Sequence, residues 1–189
     1  VALFIALDFE WVKAPVKAIF ICIVILPLLF FLAYKSVDAF AERVDRGIAD
    51  VRTFDINPDT SMGQRFVFWA TSFKLFKQNP LIGIGSGDFP NEYAKEKAKE
   101  PRWLVTPDTR NPHNQYLMTS VSTGLIGLGL LFFLFFKVYT STNETRLKSL
   151  LIGYAAVCFV ESYLWRSNTA LTFSVLVAAL LAKSDVPTA

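Results

Sequence analysis

The sequence predicts an all-α fold: a polytopic membrane helical bundle with about four transmembrane helices and one large helical loop outside the bilayer. Three observations predict it. Of the 189 residues, 53% are hydrophobic, with 18 Phe, which is more apolar than an ordinary soluble domain. The charges are gathered rather than spread: 12 of the 19 Lys and Arg and 11 of the 16 Asp and Glu lie between positions 35 and 112. Outside that stretch, several apolar runs approach the ~20 residues a helix needs to cross a ~30 Å hydrocarbon core.

Residues 16–34 form the first complete candidate span, with Lys17 at its entry and Pro27 inside, a residue that kinks a buried helix without preventing it from spanning. Residues 1–7 read as the end of an earlier span. With Val at position 1 and no basic leader, the chain is expected to be part of a larger protein. Residues 116–136 carry no charge and are the cleanest span. Residues 149–165, which include Glu161, and residues 167–182 read together as a hairpin. The organisation is then 1–34, 35–115 and 116–189: entry spans, polar loop and C-terminal spans.

Orientation follows from the short loops, where Lys and Arg favour the cytoplasmic side. If the spans alternate, Lys13, Lys17, Lys137, Arg146, Lys148 and Lys183 fall on one side. The long loop and Arg166 fall on the other, outside the cytoplasm. Cys22 and Cys158 lie in separate apolar segments without metal or disulfide spacing and read as small buried residues. The modest net charge of +3, with no basic stripe interleaved with aromatics, does not imply nucleic acid.

Within the loop, residues 36–52 place Val37, Phe40, Val44, Ile48 and Val51 at spacings of three and four, which predicts an amphipathic helix leading on from the first span. A second helix is expected from Ser61, with Gln64 completing a capping box and Phe66, Trp69, Phe73 and Phe76 forming an apolar face up to Asn79 and Pro80. Arg65 sits in its first turn. Either it snorkels or stacks on Trp69, or it binds an anion at the helix N-terminus.

The segment PLIGIGSGDF alternates Gly83, Gly85 and Gly87 but matches neither a dinucleotide fingerprint nor a P-loop. The glycines suit a tight turn, and Gly85 and Gly87 are candidates for cradling a ligand oxygen. NEYAKEKAKEPRW reads as a solvated helix whose Lys95, Lys97 and Lys99 serve solubility. The loop ends in NPHNQYL, which holds the only histidine, His113, immediately before the uncharged span.

No HExxH, clustered Asp/His spacing or Ser with an evident base is present, so a hydrolytic metal site or a complete triad within this chain is not indicated. A histidine suited to general-base chemistry and an arginine at a helix start, in a membrane frame, fit transfer from a lipid-linked diphosphate. The arginine would neutralise the departing diphosphate while the histidine takes the proton of the attacking hydroxyl. Such a leaving group does not require a metal where cationic side chains stabilise it.

The runs SMGQRFVFWATSFKLFKQNPLIGIGSGDF and NPHNQYLMTSVSTGLIGLGLLFFLFF, over residues 61–136, resemble the bacterial O-antigen ligase and O-antigen polymerase superfamily. The shared pattern is an arginine shortly before a tryptophan, a proline–glycine segment, and HNxYL entering a glycine-bearing span. The resemblance implies a C-type glycosyltransferase-like protein of the bacterial inner membrane with its large loop in the periplasm. It implies an undecaprenyl-diphosphate-linked glycan donor, no metal or other cofactor, and a lipid A core sugar or another glycan as acceptor. Arg65 and His113 would be the catalytic pair, with Asn114 positioning beside them. A further basic residue of the family's site would lie upstream of Val1. Arg166 is kept as a substrate-binding candidate on its membrane face alone; Glu161 shares that face, with a buried ion pair as the plainer reading. Gly124, Gly127 and Gly129 read as helix-packing positions. A ligase is the leading expectation. A polymerase, a protein O-oligosaccharyltransferase and a non-catalytic transporter-type membrane protein are the alternatives.

Overall fold

The computed structural model describes residues 21–184, with side chains from Ile23 to Ala182. The expected upstream span end at 1–7, Lys13, Lys17, the start of the first span and the side chains of Cys22 and Lys183 lie outside the described residues. Those described are helical, with no strand among them. The chain divides into two compact units, residues 2–63 and 64–189.

In the first unit a π-helical turn, Ile21–Ile25, leads into α1, Leu26–Ser36. Pro27 stands in the first turn of α1, directly after the π-helical turn. Val37 is extended, with φ −127° and ψ 100°, and α2, Asp38–Arg52, starts anew at a bend of 107°. The predicted amphipathic helix is therefore present but turns sharply away from the apolar helix instead of prolonging it. The next helix, α3, Ser61–Gln78, begins with Thr60 as its cap: the Thr60 hydroxyl accepts the Gly63 N–H at 3.1 Å. Gly63 stands where a capping box needs Glu or Gln, so the expected pairing of Ser61 with Gln64 is one residue out of register.

In the second unit α3 runs on beside α4, Phe89–Lys97. Phe68, Leu75, Phe89, Tyr93, Met118 and Val121 form the core between them and the first turns of α5, Gln115–Thr140. Burying each of these large side chains contributes roughly 1.5–3 kcal/mol. The second face of α4 departs from the expected solvated helix. Lys97 is 5% exposed, donating to the Thr106 carbonyl and pairing with Asp108, both at 2.7 Å. Its charge ties the following loop down instead of serving solubility.

Among the described residues α5 is the one helix long and apolar enough to cross a membrane unaided, yet it is broken at Gly124, where φ is 66° and ψ −161°. The PLIGIG backbone fills the break. Ile84 and Gly85 donate to the Val121 and Ser122 carbonyls at 2.8 and 3.0 Å, and Leu125 and Ile126 donate to Pro80 and Leu81 at 2.8 and 3.3 Å. Four groups that a broken helix would otherwise leave open are thus satisfied, which matters where water is scarce. Gly124 is therefore a break point and contact for another segment's backbone. Gly129, where an added Cβ would meet open space, packs on nothing among the described residues.

The break divides α5 by role. Most of its buried residues precede Gly124, whereas Leu125, Ile126, Leu130, Phe132, Phe133 and Phe136 beyond it are exposed apolar groups. Helix α6, Thr145–Val157, is shorter than the expected 149–165 span, and residues 158–166 form an irregular turn before α7, Ser167–Ser184. Leu147, Leu151 and Phe173 are the buried core of this α5–α7 end. The apolar stretch of α7, Ser167–Ala182, is shorter than a full span.

Candidate functional site

The five residues from Pro112 to Tyr116 are each fastened in place. The indole N–H of Trp69 donates to the Pro112 carbonyl at 2.9 Å, and Phe68 stacks on the His113 ring with centroids 5.8 Å apart. Both contacts come from α3. Arg65 lies three and four residues before Phe68 and Trp69, so it shares their face, about one 5.4 Å turn nearer the helix start. It is half-buried, and among the described residues it has neither a salt bridge to a carboxylate nor a stack on Trp69. Trp69 instead meets Phe66 edge-on and holds Pro112.

The other side of the stretch is held by the turn after α6. Asn114 is the N-cap of α5: its side-chain oxygen accepts the Leu117 N–H at 3.0 Å. Its amide nitrogen donates to the Phe159 carbonyl at 2.9 Å, and its backbone N–H to the Ser162 hydroxyl at 3.1 Å. Gln115 donates its N–H to the Cys158 carbonyl and accepts the Leu164 N–H, while the Tyr116 hydroxyl donates to the Ala155 carbonyl at 2.7 Å. Asn114 is thus fully engaged within the fold, and Cys158 is a free, buried thiol whose carbonyl serves the clamp.

Held from both sides, His113 adopts φ 51°, the single positive φ outside glycine among the described residues. His tolerates that region better than most residues, but the conformation still has to be imposed by its surroundings. Its N–H donates to the Asn111 side chain at 2.9 Å. Its Nδ1 lies 3.2 Å from both carboxylate oxygens of Glu161. A carboxylate can only accept, so Nδ1 is the nitrogen that donates to Glu161, and in the neutral imidazole this pairing puts the lone pair on Nε2.

Glu161 stands in the turn between α6 and α7, outside both helices, and is held in turn. Its oxygens accept the Ser162 N–H at 2.9 Å and face the Arg166 guanidinium at 3.7 Å. Burial pushes its carboxyl up, but the Ser162 N–H, His113 and Arg166 together outweigh it and keep the group below the usual carboxylate range. Glu161, whose plainer reading from sequence is an ion pair, does pair with Arg166 and is in addition the direct partner of the histidine. Arg166 reaches the histidine through Glu161 while half of it remains exposed. The available signal was an acidic residue in an apolar stretch, which is costly unless paired.

The glycines divide. Gly85, at φ 99°, commits its N–H to Ser122, and an added Cβ on Gly83 would come within 2.5 Å of the backbone at residues 121–123. Both serve the α5 break. Gly87 has open space around it. His113 and Asn114 stand at one α3–α5 junction, with Arg65 on the same face of α3 about one turn away; Gly83 and Gly85 belong to the strap beside it.

A family model described as O-Antigen ligase matches residues 1–132, a range that holds Arg65, the glycine strap, His113 and Asn114 but ends before Glu161 and Arg166. An O-antigen ligase of Salmonella typhimurium is 29% identical over 106 residues, covering 52% of this chain and 26% of that protein. A Haemophilus influenzae protein described as uncharacterized is 32% identical over 71 residues, 38% of this chain and 18% of that protein. The chain spans about a quarter or less of the length of these curated relatives.

Proposed function

The chain belongs to the O-antigen ligase family, and from that premise we propose that it carries the base-bearing part of a membrane glycosyltransferase. In this reading the enzyme moves a glycan from undecaprenyl diphosphate to a lipid A core sugar. The observation that carries it is the His113–Glu161 pair, which in the neutral imidazole turns Nε2 into a hydrogen-bond acceptor beside an apolar helix. Such a place suits a base that must meet a lipid-linked donor and a membrane-borne acceptor.

The acceptor hydroxyl oxygen bonds to the anomeric carbon of the donor sugar as the bond from that carbon to the diphosphate oxygen breaks. The electron pair leaves with the diphosphate. The hydroxyl proton passes to His113 Nε2, and Glu161 stabilises the imidazolium through Nδ1. Arg65 neutralises the growing charge on the diphosphate. Asn114 acts by fixing the depth and angle of His113, and Arg166 by holding Glu161. The loop of residues 35–115 faces the periplasm of the bacterial inner membrane, and the helices beyond Gly124 complete the spans.

The test is complementation by the full-length parent carrying Arg65→Ala or His113→Ala, read on a lipopolysaccharide gel at matched protein levels. Loss of capping with lipid-linked polymer retained supports the ligase. Capped single repeats would assign the same site to a polymerase. Wild-type capping by both variants would remove the catalytic assignment.

A further inference from the structure

Within its own unit, helix α2 with its cap residue Val37 carries an apolar stripe that its neighbours cover only in part. At 100° per residue, Val37, Phe40, Ala41, Val44, Gly47, Ile48 and Val51 fall within an arc of about 120°. Val37, Ile48 and Val51 are about half exposed. With Arg52 and Met62, the Val44 to Val51 part of this stripe lines an apolar groove of about 390 Å³.

The elbow with α1 says which way the stripe faces. Phe40, on the stripe, meets Phe30 of α1 edge-on at 5.2 Å, so the stripe looks toward the side on which the apolar helix descends. The Tyr34 hydroxyl donates to Asp45 at 2.8 Å, at the edge of the polar face, and fixes the bend. Lys35 reaches back over the Phe31 and Tyr34 rings, 5.9 Å from each centroid. A tyrosine and a lysine at the end of an apolar helix mark the level of the lipid headgroups. A helix leaving that level at 107°, which is 17° past a right angle, runs along the bilayer surface and dips back toward it.

We infer that α2 is an interfacial helix, lying in the plane of the membrane with its Val37, Phe40, Val44, Ile48 and Val51 stripe sunk into the boundary between headgroups and acyl chains. The polar face bears Asp38, Glu42, Asp45 and Asp50 against Arg43 and Arg46, with Arg52 at the rim of the groove, so the helix carries four acids to three bases. Attraction to anionic lipid is therefore not the source of the attachment; apolar burial is, with the tether to α1 supplying proximity. The sharp elbow is what a continuous helix could not provide, since it would carry the stripe off into water.

The experiment uses the full-length parent with its other cysteines replaced by alanine, reconstituted in phosphatidylcholine nanodiscs. Single cysteines at Ile48, Val51, Glu42 and Arg46 carry a nitroxide, all at positions where substitution removes no core packing. The expected result is relaxation of the Ile48 and Val51 labels mainly by oxygen and of the Glu42 and Arg46 labels mainly by a water-soluble nickel chelate. That pattern should hold when phosphatidylglycerol is added. Nickel reaching Ile48 as freely as Arg46 would overturn the inference, as would an Ile48 label shielded from both reagents, which means protein covers the stripe. The readout is independent of glycan transfer and so stands apart from the proposed reaction.

Discussion

The imidazole Nδ1 of His113 lies 3.2 Å from both carboxylate oxygens of Glu161, 48 residues later in the chain. The pair favours the Nδ1-protonated tautomer of an imidazole that would otherwise carry its proton on either nitrogen. Glu161→Gln keeps the size of the side chain and lets its amide donate to Nδ1, which places the imidazole proton on the wrong nitrogen. Turnover of the purified full-length parent should fall on the order of 10²- to 10⁴-fold with KM little changed. An unchanged kcat would show that Glu161 is only a structural anchor.

The same carboxylate gives a pH dependence. Its pKa is held below the ordinary value, so its unfolded state binds the proton more tightly than its folded state. The contribution to stability is therefore fully present above the unfolded carboxylate value of about 4.3 and is lost as pH falls through the lower folded value. Melting in detergent should show wild type more stable than Glu161→Gln at neutral pH, with the gap closing in strongly acidic buffer. A gap that stays constant with pH would mean the carboxylate charge is not what stabilises the turn.

The helix start near Arg65 and the apolar boundary at His113 follow from local rules, whereas Asn114 is singled out only by the family resemblance and its N-cap role comes from the structure. Glu161 was visible only as an anomaly, because its partner is set by the turn that ends α6 at Val157, and no periodicity reveals that turn. Lys97 read as solvated because its neighbours are charged, whereas the loop to Asp108 folds back over it. The glycine strap was legible as a turn but not as the filler of a broken helix. That function depends on a contact between residues some forty positions apart, and local sequence carries no record of it.

The strap makes a graded prediction. Gly83 and Gly124 combine positive φ with backbone contacts that leave no room for a Cβ, Gly124 against Leu81 and Gly83 against residues 121–123. Alanine at either should cost about 3 kcal/mol, from left-handed strain and enforced displacement together. Gly129→Ala meets open space within a helix and should be neutral or stabilising by up to about 1 kcal/mol. Thermal unfolding of the three variants in one detergent checks the ranking; equal melting points would disprove the packed strap.

Trp69 connects the α3 frame to the residue before His113. Its indole N–H is bonded to the carbonyl of Pro112, a fully buried residue, so Trp69→Phe leaves that acceptor without its donor. The loss should cost about 1–3 kcal/mol of stability. It should also slow transfer, because His113 follows directly and its φ of 51° persists only while both flanks are held. Asn111→Ala removes the other local restraint, the acceptor for the His113 N–H, without touching the Trp69 contact. If both restraints serve the backbone of His113, each variant should lower kcat several-fold and the double variant should fall short of the summed single effects. Strictly additive losses would instead mean that Trp69 supports only the core and that the geometry of His113 is set elsewhere.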